Sequence, residues 1–130
     1  MKFGLQPPVY LTANWGEDGE LFEVFIWQGN EGGVDYGNAR ALGVVISEVL
    51  RLGGDPGRLG KKLRGIRDSK PSWEEGQLLL SLPDCVGRFL EAWVKLKTVD
   101  GGWSMVNGVD KEKLVSLIYP KAERCQDPGD

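Results

Sequence analysis

Val9-Tyr10-Leu11-Thr12-Ala13-Asn14-Trp15, then Gly16-Glu17-Asp18-Gly19-Glu20, then Leu21-Phe22-Glu23-Val24-Phe25-Ile26-Trp27-Gln28: this stretch decides the fold. The outer segments are rich in β-branched and aromatic residues, and the middle one supplies turn chemistry, so together they read as a β-hairpin. In the second strand, Phe22, Val24 and Ile26 fall on one face, and Leu21, Glu23, Phe25 and Trp27 on the other. Both faces therefore carry apolar side chains. A lone hairpin cannot bury them, so a further strand and helices, or a second copy of the chain, must cover them.

Downstream of the hairpin, Gly29-Asn30-Glu31-Gly32-Gly33 forms a loop leading into a predicted helix over 35–52, with Ala39, Leu42, Ile46, Val49 and Gly53 on one stripe and Gly53-Gly54 as the stop. Asp55 is placed as an N-cap, with Pro56 at the first helical position of a short basic helix running to Leu63. The span 65–80 reads mostly as loop. Ser81, Pro83 and Asp84 open a third helix whose Val86, Phe89, Leu90, Trp93 and Leu96 form a strong apolar face. After a break at Gly101-Gly102, a C-terminal helix is expected from Val109-Asp110 to Pro120. The resulting class is α+β: an antiparallel hairpin or sheet packed against two to three helices in the order β-β-α-α-α, plus a C-terminal helix. The expected organisation is one domain over 1–120 and a polar tail over 121–130.

The chain has 130 residues, 41% hydrophobic and 27% charged, which suits a single folded domain that needs neither disulfides nor metal as staples. No apolar run approaches a membrane span and no signal-type segment opens the chain, so a cytoplasmic location is expected. Histidine is absent, which removes Ser-His-Asp triads, Cys-His dyads and HExxH zinc sites. No catalytic constellation can be assembled from what remains. The two cysteines, Cys85 and Cys125, lie far apart and read as reduced thiols. The net charge of −3 is unevenly spread, with no Lys or Arg over 11–39 and a basic stretch of Arg58, Lys61, Lys62, Arg64, Arg67 and Lys70. That stretch is either a solvated helix face or an edge that meets an anion or the acidic hairpin of another copy.

Three blocks stand out: Val9-Tyr10-Leu11-Thr12 with Phe22-Glu23-Val24-Phe25-Ile26, Gly29 and Gly32; Ala41-Leu42-Gly43 with Ile46-Ser47, Leu50-Arg51 and Leu63-Arg64-Gly65-Ile66-Arg67; and Leu80-Ser81-Leu82-Pro83-Asp84. Together they resemble the TSCPD domain found at the C-terminus of adenosylcobalamin-dependent ribonucleotide reductases, the last block being similar to the string that names the family. The resemblance covers about residues 7–97. The family pattern has cysteines at places held here by Pro7, Val34, Asp68 and Leu82. The resemblance therefore implies a relative without the family's thiolates, and no metal or other cofactor is expected. Cys85 stands near a helix start, where either a lowered thiol pKa or a packing role fits. Cys125 lies where the reductases often carry a redox pair, and one cysteine cannot form an intramolecular relay.

Candidate site residues follow from anion and ring chemistry. Asn30, Gly32 and Gly33 precede a helix N-terminus, and Arg40, Arg64 and Arg67 carry guanidinium forks suited to phosphate. A plain connection, and ion pairs to Glu23 or Asp68, are the structural alternatives. Trp27, Tyr36 and Trp73 lie outside the main helical core stripes and can stack on a base or anchor an interface. The expectation is a non-catalytic, homo-oligomeric module binding a nucleotide-like or phosphorylated small molecule, with sequestration as one use of that binding. The alternative is an accessory module docking on a ribonucleotide reductase or a DNA-synthesis system. An enzyme acting through Cys85 or a shifted carboxylate is a further reading, and the acidic balance disfavours nucleic acid as a partner.

Overall fold

The computed structural model describes residues 1–98 and 101–120. Strands β1 (Lys2–Phe3), β2 (Val9–Trp15) and β3 (Leu21–Gln28) form an antiparallel sheet in the order β1-β2-β3. The short β1 was not foreseen. It is tied on by Leu11 N–H donating to the Met1 carbonyl and the Met1 amine donating to the Leu11 carbonyl, each at 2.8 Å. Val9, Leu11, Val24 and Ile26 face the core, whereas Tyr10 is 48% exposed on the opposite side.

Leu21 does not share a face with Phe25 and Trp27, as strict alternation predicts. Trp15 pairs with Leu21 and Asn14 with Glu23, which leaves Phe22 as an extra, bulged residue. The bulge resets the phase of the strand, burying Leu21 beside Val24 and turning Phe22 outward.

Helix α1 (Val34–Arg51) lies along the outer edge of β3. Ser47 Oγ accepts from Val24 N–H at 3.0 Å and donates to Val24 C=O at 3.1 Å, so both main-chain groups that Val24 turns away from β2 are satisfied by one helical hydroxyl. The approach is close because position 43 is glycine: a Cβ there would sit 3.2 Å from the Val24 carbonyl oxygen. The buried stripe of α1 is consequently Ala39, Gly43, Ile46, Ser47 and Leu50. Leu42 and Val49 are only partly buried and Gly53 is exposed, a correction to the hydrophobic-spacing reading. The stripe is rotated toward the strand edge, where Gly43 and Ser47 meet the main chain of β3 while Ala39, Ile46 and Leu50 join the apolar core.

Helix α2 (Pro56–Leu63) is capped by Asp55, whose carboxylate accepts from Gly57 N–H at 2.9 Å. The 65–80 span is not plain loop. Within it β4 (Ser72–Glu74) and β5 (Gln77–Leu79) form a hairpin turned by Glu75 and Gly76, both at positive φ. Helix α3 (Leu82–Thr98) buries Val86, Phe89, Leu90, Trp93 and Leu96 as its spacing predicts. A small pair, β6 (Trp103–Ser104) and β7 (Gly108–Val109), precedes α4 (Lys111–Ile118), which is capped by Asp110 and contributes Leu114 and Ile118 to the core. The core thus lies between the inner sheet face, α1, α3 and α4. Trp93 fastens the main hairpin to it by donating from Nε1 to the Gly19 carbonyl at 2.9 Å. The class is α+β, with four helices and antiparallel strands.

Helices α2 and α3 cross on glycine. A Cβ at Gly87 would fall 2.6 Å from the Arg64 nitrogen and 2.7 Å from the Gly60 carbonyl oxygen, both backbone atoms that cannot swing aside. Gly87→Ala is therefore expected to destabilise the protein by about 1–3 kcal/mol through overpacking, measured by urea unfolding. An unchanged midpoint would show that the helices do not cross this closely.

Candidate functional site

The Ser-Leu-Pro-Asp string sits at the start of α3 and works as a clamp. Ser81 Oγ accepts from Asp84 N–H at 3.1 Å and donates to the Ile66 carbonyl at 2.6 Å. The Asp84 carboxylate is buried, accepting from Gly65 N–H at 2.8 Å, Leu80 N–H at 3.0 Å and Arg88 Nε at 3.2 Å. Arg88, also buried, donates onward to the Leu78 carbonyl at 3.1 Å and to Gln77 Oε1 at 3.4 Å. Each charge is paired and each strong donor or acceptor is met, which is the condition for keeping an ion pair out of water. These side chains are spent on holding the 65–68 segment and the β4–β5 hairpin to α3, so they are not open to substrate. Sequence reasoning placed Ser81 and Asp84 at a helix start and missed the clamp. The Ser-x-x-Asp spacing of a capping arrangement was the signal that could have found it.

Cys85, beside this clamp, is fully buried. Burial foremost, and then the neighbouring Asp84 carboxylate, pushes its thiol well above the ordinary range. Its place near a helix start does not lower the pKa, and a neutral thiol is a poor nucleophile. Cys125 lies outside the described residues.

A different arrangement occupies the outer sheet face. Tyr10 pairs across the strands with Trp27, and Thr12 with Phe25. Phe25 and Trp27 stack with centroids 5.9 Å apart and planes at 29°, while the Arg40 guanidinium, projected from α1, stands 5.9 Å from the Trp27 ring centroid. Lys2 lies 6.0 Å from the Tyr10 ring centroid. This face is a platform of partly exposed rings flanked by cationic heads. The glycine loop runs from its end: Gly29 and Gly32 adopt positive φ, and Gly33 is the N-cap of α1 without a capping side chain. Asn30, Gly32 and Gly33 are exposed and Tyr36, in the first turns of α1, is half-buried.

The structure brings Trp27 and Arg40 into contact and sets the Asn30-Gly33 loop and Tyr36 on the adjoining ends of the same strand and helix. Arg64 and Arg67 belong to a different neighbourhood, where α2 meets α3. Arg64 pairs at 3.7 Å with Glu91 of α3 and not with Glu23 or Asp68. Glu23 is engaged by Arg51 at 2.6 Å, leaving Arg40 to its ring. Arg67 is exposed, and Trp73, on β4, is 73% exposed. Among the described residues no group of three or more His, Cys, Asp or Glu could hold a metal ion, and no helix is long and apolar enough to cross a membrane.

Two outcomes follow from the clamp. Asp84→Ala, which strands a buried guanidinium, is expected to cost about 3–5 kcal/mol in chemical unfolding. Adding Arg88→Met should restore only part of this, because Gly65 and Leu80 N–H still lack an acceptor; complete restoration would reduce the clamp to a simple ion pair. In a Cys125→Ser background, Cys85 should resist a thiol-disulfide reagent at pH 8 until denaturant is added, and rapid labelling of the folded protein would contradict the buried, neutral thiol.

No curated protein and no solved structure is significantly similar to the chain. The family model of the TSCPD domain matches residues 1–94, which takes in the sheet, the glycine loop, α1, α2, the clamp and most of α3. This chain belongs to the TSCPD domain family, a group related to ribonucleotide reductase.

Proposed function

We propose that this domain is a non-catalytic binding module that takes a nucleotide-like or other phosphorylated small molecule where β3 and α1 meet, and that it works as a homo-oligomer. The observation that carries the reading is the Arg40 guanidinium held over Trp27 on an open sheet face, with Phe25 stacked alongside. A planar base gains by stacking on such rings in proportion to the area it covers, whatever its identity. A guanidinium beside the ring offers several fixed donors to a phosphate on the same molecule. The first-turn N–H groups of α1, uncapped by any side chain, add donors of the same sign, with Asn30, Gly32 and Gly33 leading into them and Tyr36 beside them. Glu31 and Asp35 oppose an anion there, which puts the phosphate nearer Arg40 than the loop tip.

Arg64 and Arg67 enter through oligomerisation. They lie with Arg58, Lys61 and Lys62 on an exposed basic segment, while Glu17 and Asp18 form the exposed tip of the main hairpin. Opposite charges at separate places on one molecule suit head-to-tail pairing between copies.

The test is a thermal-shift screen of nucleotides, cyclic nucleotides and sugar phosphates, with the mass in solution measured in parallel. A ligand at 100-fold over its dissociation constant should stabilise the domain by about 2.7 kcal/mol. Arg40→Glu or Trp27→Ala should weaken that ligand at least tenfold while leaving the unliganded melt nearly unchanged, and reversing Arg64 and Arg67 together should lower the mass. A flat screen from a folded protein would sink the nucleotide reading. It would favour docking onto a reductase-type protein, a reading that the family's relation to ribonucleotide reductase and the 73% exposure of Trp73 support.

A further inference from the structure

Away from the Arg40–Trp27 face, on the inner side of β2, lies a solvent-open cavity of about 550 Å³ lined by β2, the turn of the β4–β5 hairpin, α3 and α4. Its volume falls in the range that takes small organic ligands. The floor is carbon: Leu11 and Ala13 of β2, and a run of rings in which Trp15 and Trp93 lie 5.1 Å apart and Trp93 and Phe89 6.0 Å apart. The opposing wall is α4, which offers Leu114 and Val115. Leu11, Phe89, Trp93 and Leu114 are buried beneath this surface, and the apolar groups it leaves to water are chiefly Trp15, 37% exposed, and Val115, 43% exposed, which favour a planar hydrophobic body between them.

The polar groups on the rim fix the sign of the ligand's head. Glu74 is already committed, since its Oε2 accepts from Gly4 N–H at 2.6 Å and from Tyr119 O–H at 3.0 Å. Two neutral donors thus hold the carboxylate in place against α4. Glu75 stands at the turn of the hairpin and also lines the rim. Lys111, at the start of α4, makes no ion pair among the described residues. Beside it stands the Met1 amine, which donates to the Leu11 carbonyl and whose pKa is lowered by burial and by the Lys111 charge. Two ammonium groups that repel each other are relieved by an anion set between them.

We infer that this cavity is a second binding site, separate from the sheet face, for a small amphipathic anion: a planar apolar body seated between Trp15 and Val115, with a carboxylate or similar head at Lys111. The body enters between β2 and α4, and the head stays at the wet rim, where Lys111 neutralises it without the cost of burying a charge.

The probe is 2-naphthoate, titrated into the full chain while tryptophan fluorescence is followed, with 2-naphthylmethylamine as the matched cation. Naphthoate should bind saturably at one per chain and at least tenfold more tightly than the amine. Lys111→Glu should weaken naphthoate at least tenfold and favour the amine. Val115→Trp, a change at a position 43% exposed on the rim, should block both probes while the protein keeps its melting temperature. Trp27→Ala and Arg40→Glu should leave naphthoate affinity within twofold, so that failure of the sheet-face reading and failure of this one give different patterns. The inference is overturned if naphthoate does not saturate, if the amine binds equally well, if Lys111→Glu changes nothing, or if Arg40→Glu abolishes binding.

Discussion

The Asp84 carboxylate is a charge removed from water at the point where the chain must bring four segments together. The physics of that removal organises the domain's second half. A buried carboxylate is tolerable only if its lone pairs are filled, and here they are filled by main-chain donors at Gly65 and Leu80 together with Arg88. Those donors come from the residue after the α2 C-cap and from the residue before the clamp serine, so one side chain fixes where α2 ends, where the β4–β5 hairpin returns and where α3 begins. Ser81 repeats the logic with a neutral group by joining Ile66 to the first turn of α3. The glycine contact between Gly60 and Gly87 is then a consequence: with the 64–66 segment pulled onto α3, the two helices approach until only hydrogen fits between them. The string that names the family therefore has a folding role that depends on its serine and aspartate. Leu82 stands where the resemblance puts a cysteine, and no hydrogen bond of the clamp uses its side chain.

The first half is governed by a similar economy on a strand edge. A three-stranded sheet with a two-residue β1 leaves β3 as a long free edge, which invites pairing with other chains. Laying α1 on that edge, with Ser47 answering both polar groups of Val24, closes it. The cost is that the long helix is no longer available to cover the outer face. Since α3 and α4 occupy the inner side, Tyr10, Phe25 and Trp27 remain accessible to whatever arrives from solution. The open platform follows from the topology and needs no special device to stay open.

What the sequence disclosed and what it concealed divide along local and non-local lines. The main hairpin, the Asp55–Pro56 helix start and the apolar face of α3 are written in adjacent residues, and each stands where spacing puts it. The bulge at Phe22 was hidden because alternation assumes an unbroken phase, and nothing in Leu21-Phe22-Glu23 distinguishes an extra residue from a regular one. The turned stripe of α1 was hidden for a different reason: hydrophobic spacing finds the face that meets carbon, whereas Gly43 and Ser47 meet a peptide edge. The clamp was half legible, as a cap without its partners, because Gly65 and Arg88 become its neighbours only after α2 and α3 have docked. Among the candidate site residues, contact between Trp27 and Arg40 joins a strand to a helix, and Arg64 found its acid on α3, a pairing of distant segments that no local pattern encodes.

The placement of aromatic residues separates the two proposed sites on either side of the sheet. Trp15 and Trp27 belong to the same hairpin, yet alternation puts Trp15 on the inward phase of Val9 and Leu11 in β2, and Trp27, opposite Tyr10, on the outward phase of β3. Near the turn, Trp15 leans onto Trp93 and helps to floor the inner cavity; near the open end, Trp27 faces outward under Arg40. A guanidinium over a flat platform selects for phosphate displayed beside a stacked ring, because its fork needs fixed oxygens and the ring needs an uncovered face. A lone ammonium at the mouth of an apolar cavity selects instead for a compact head on a body that can be taken out of water, because Lys111 is a point charge with no preferred plane. The outer platform lies wholly within the residues that match the family, whereas the inner cavity takes one wall from α4, beyond them. Residues 101–120 thus supply one wall of the proposed inner site, which places Lys111, Leu114 and Val115 in a part of the chain that the family pattern does not describe.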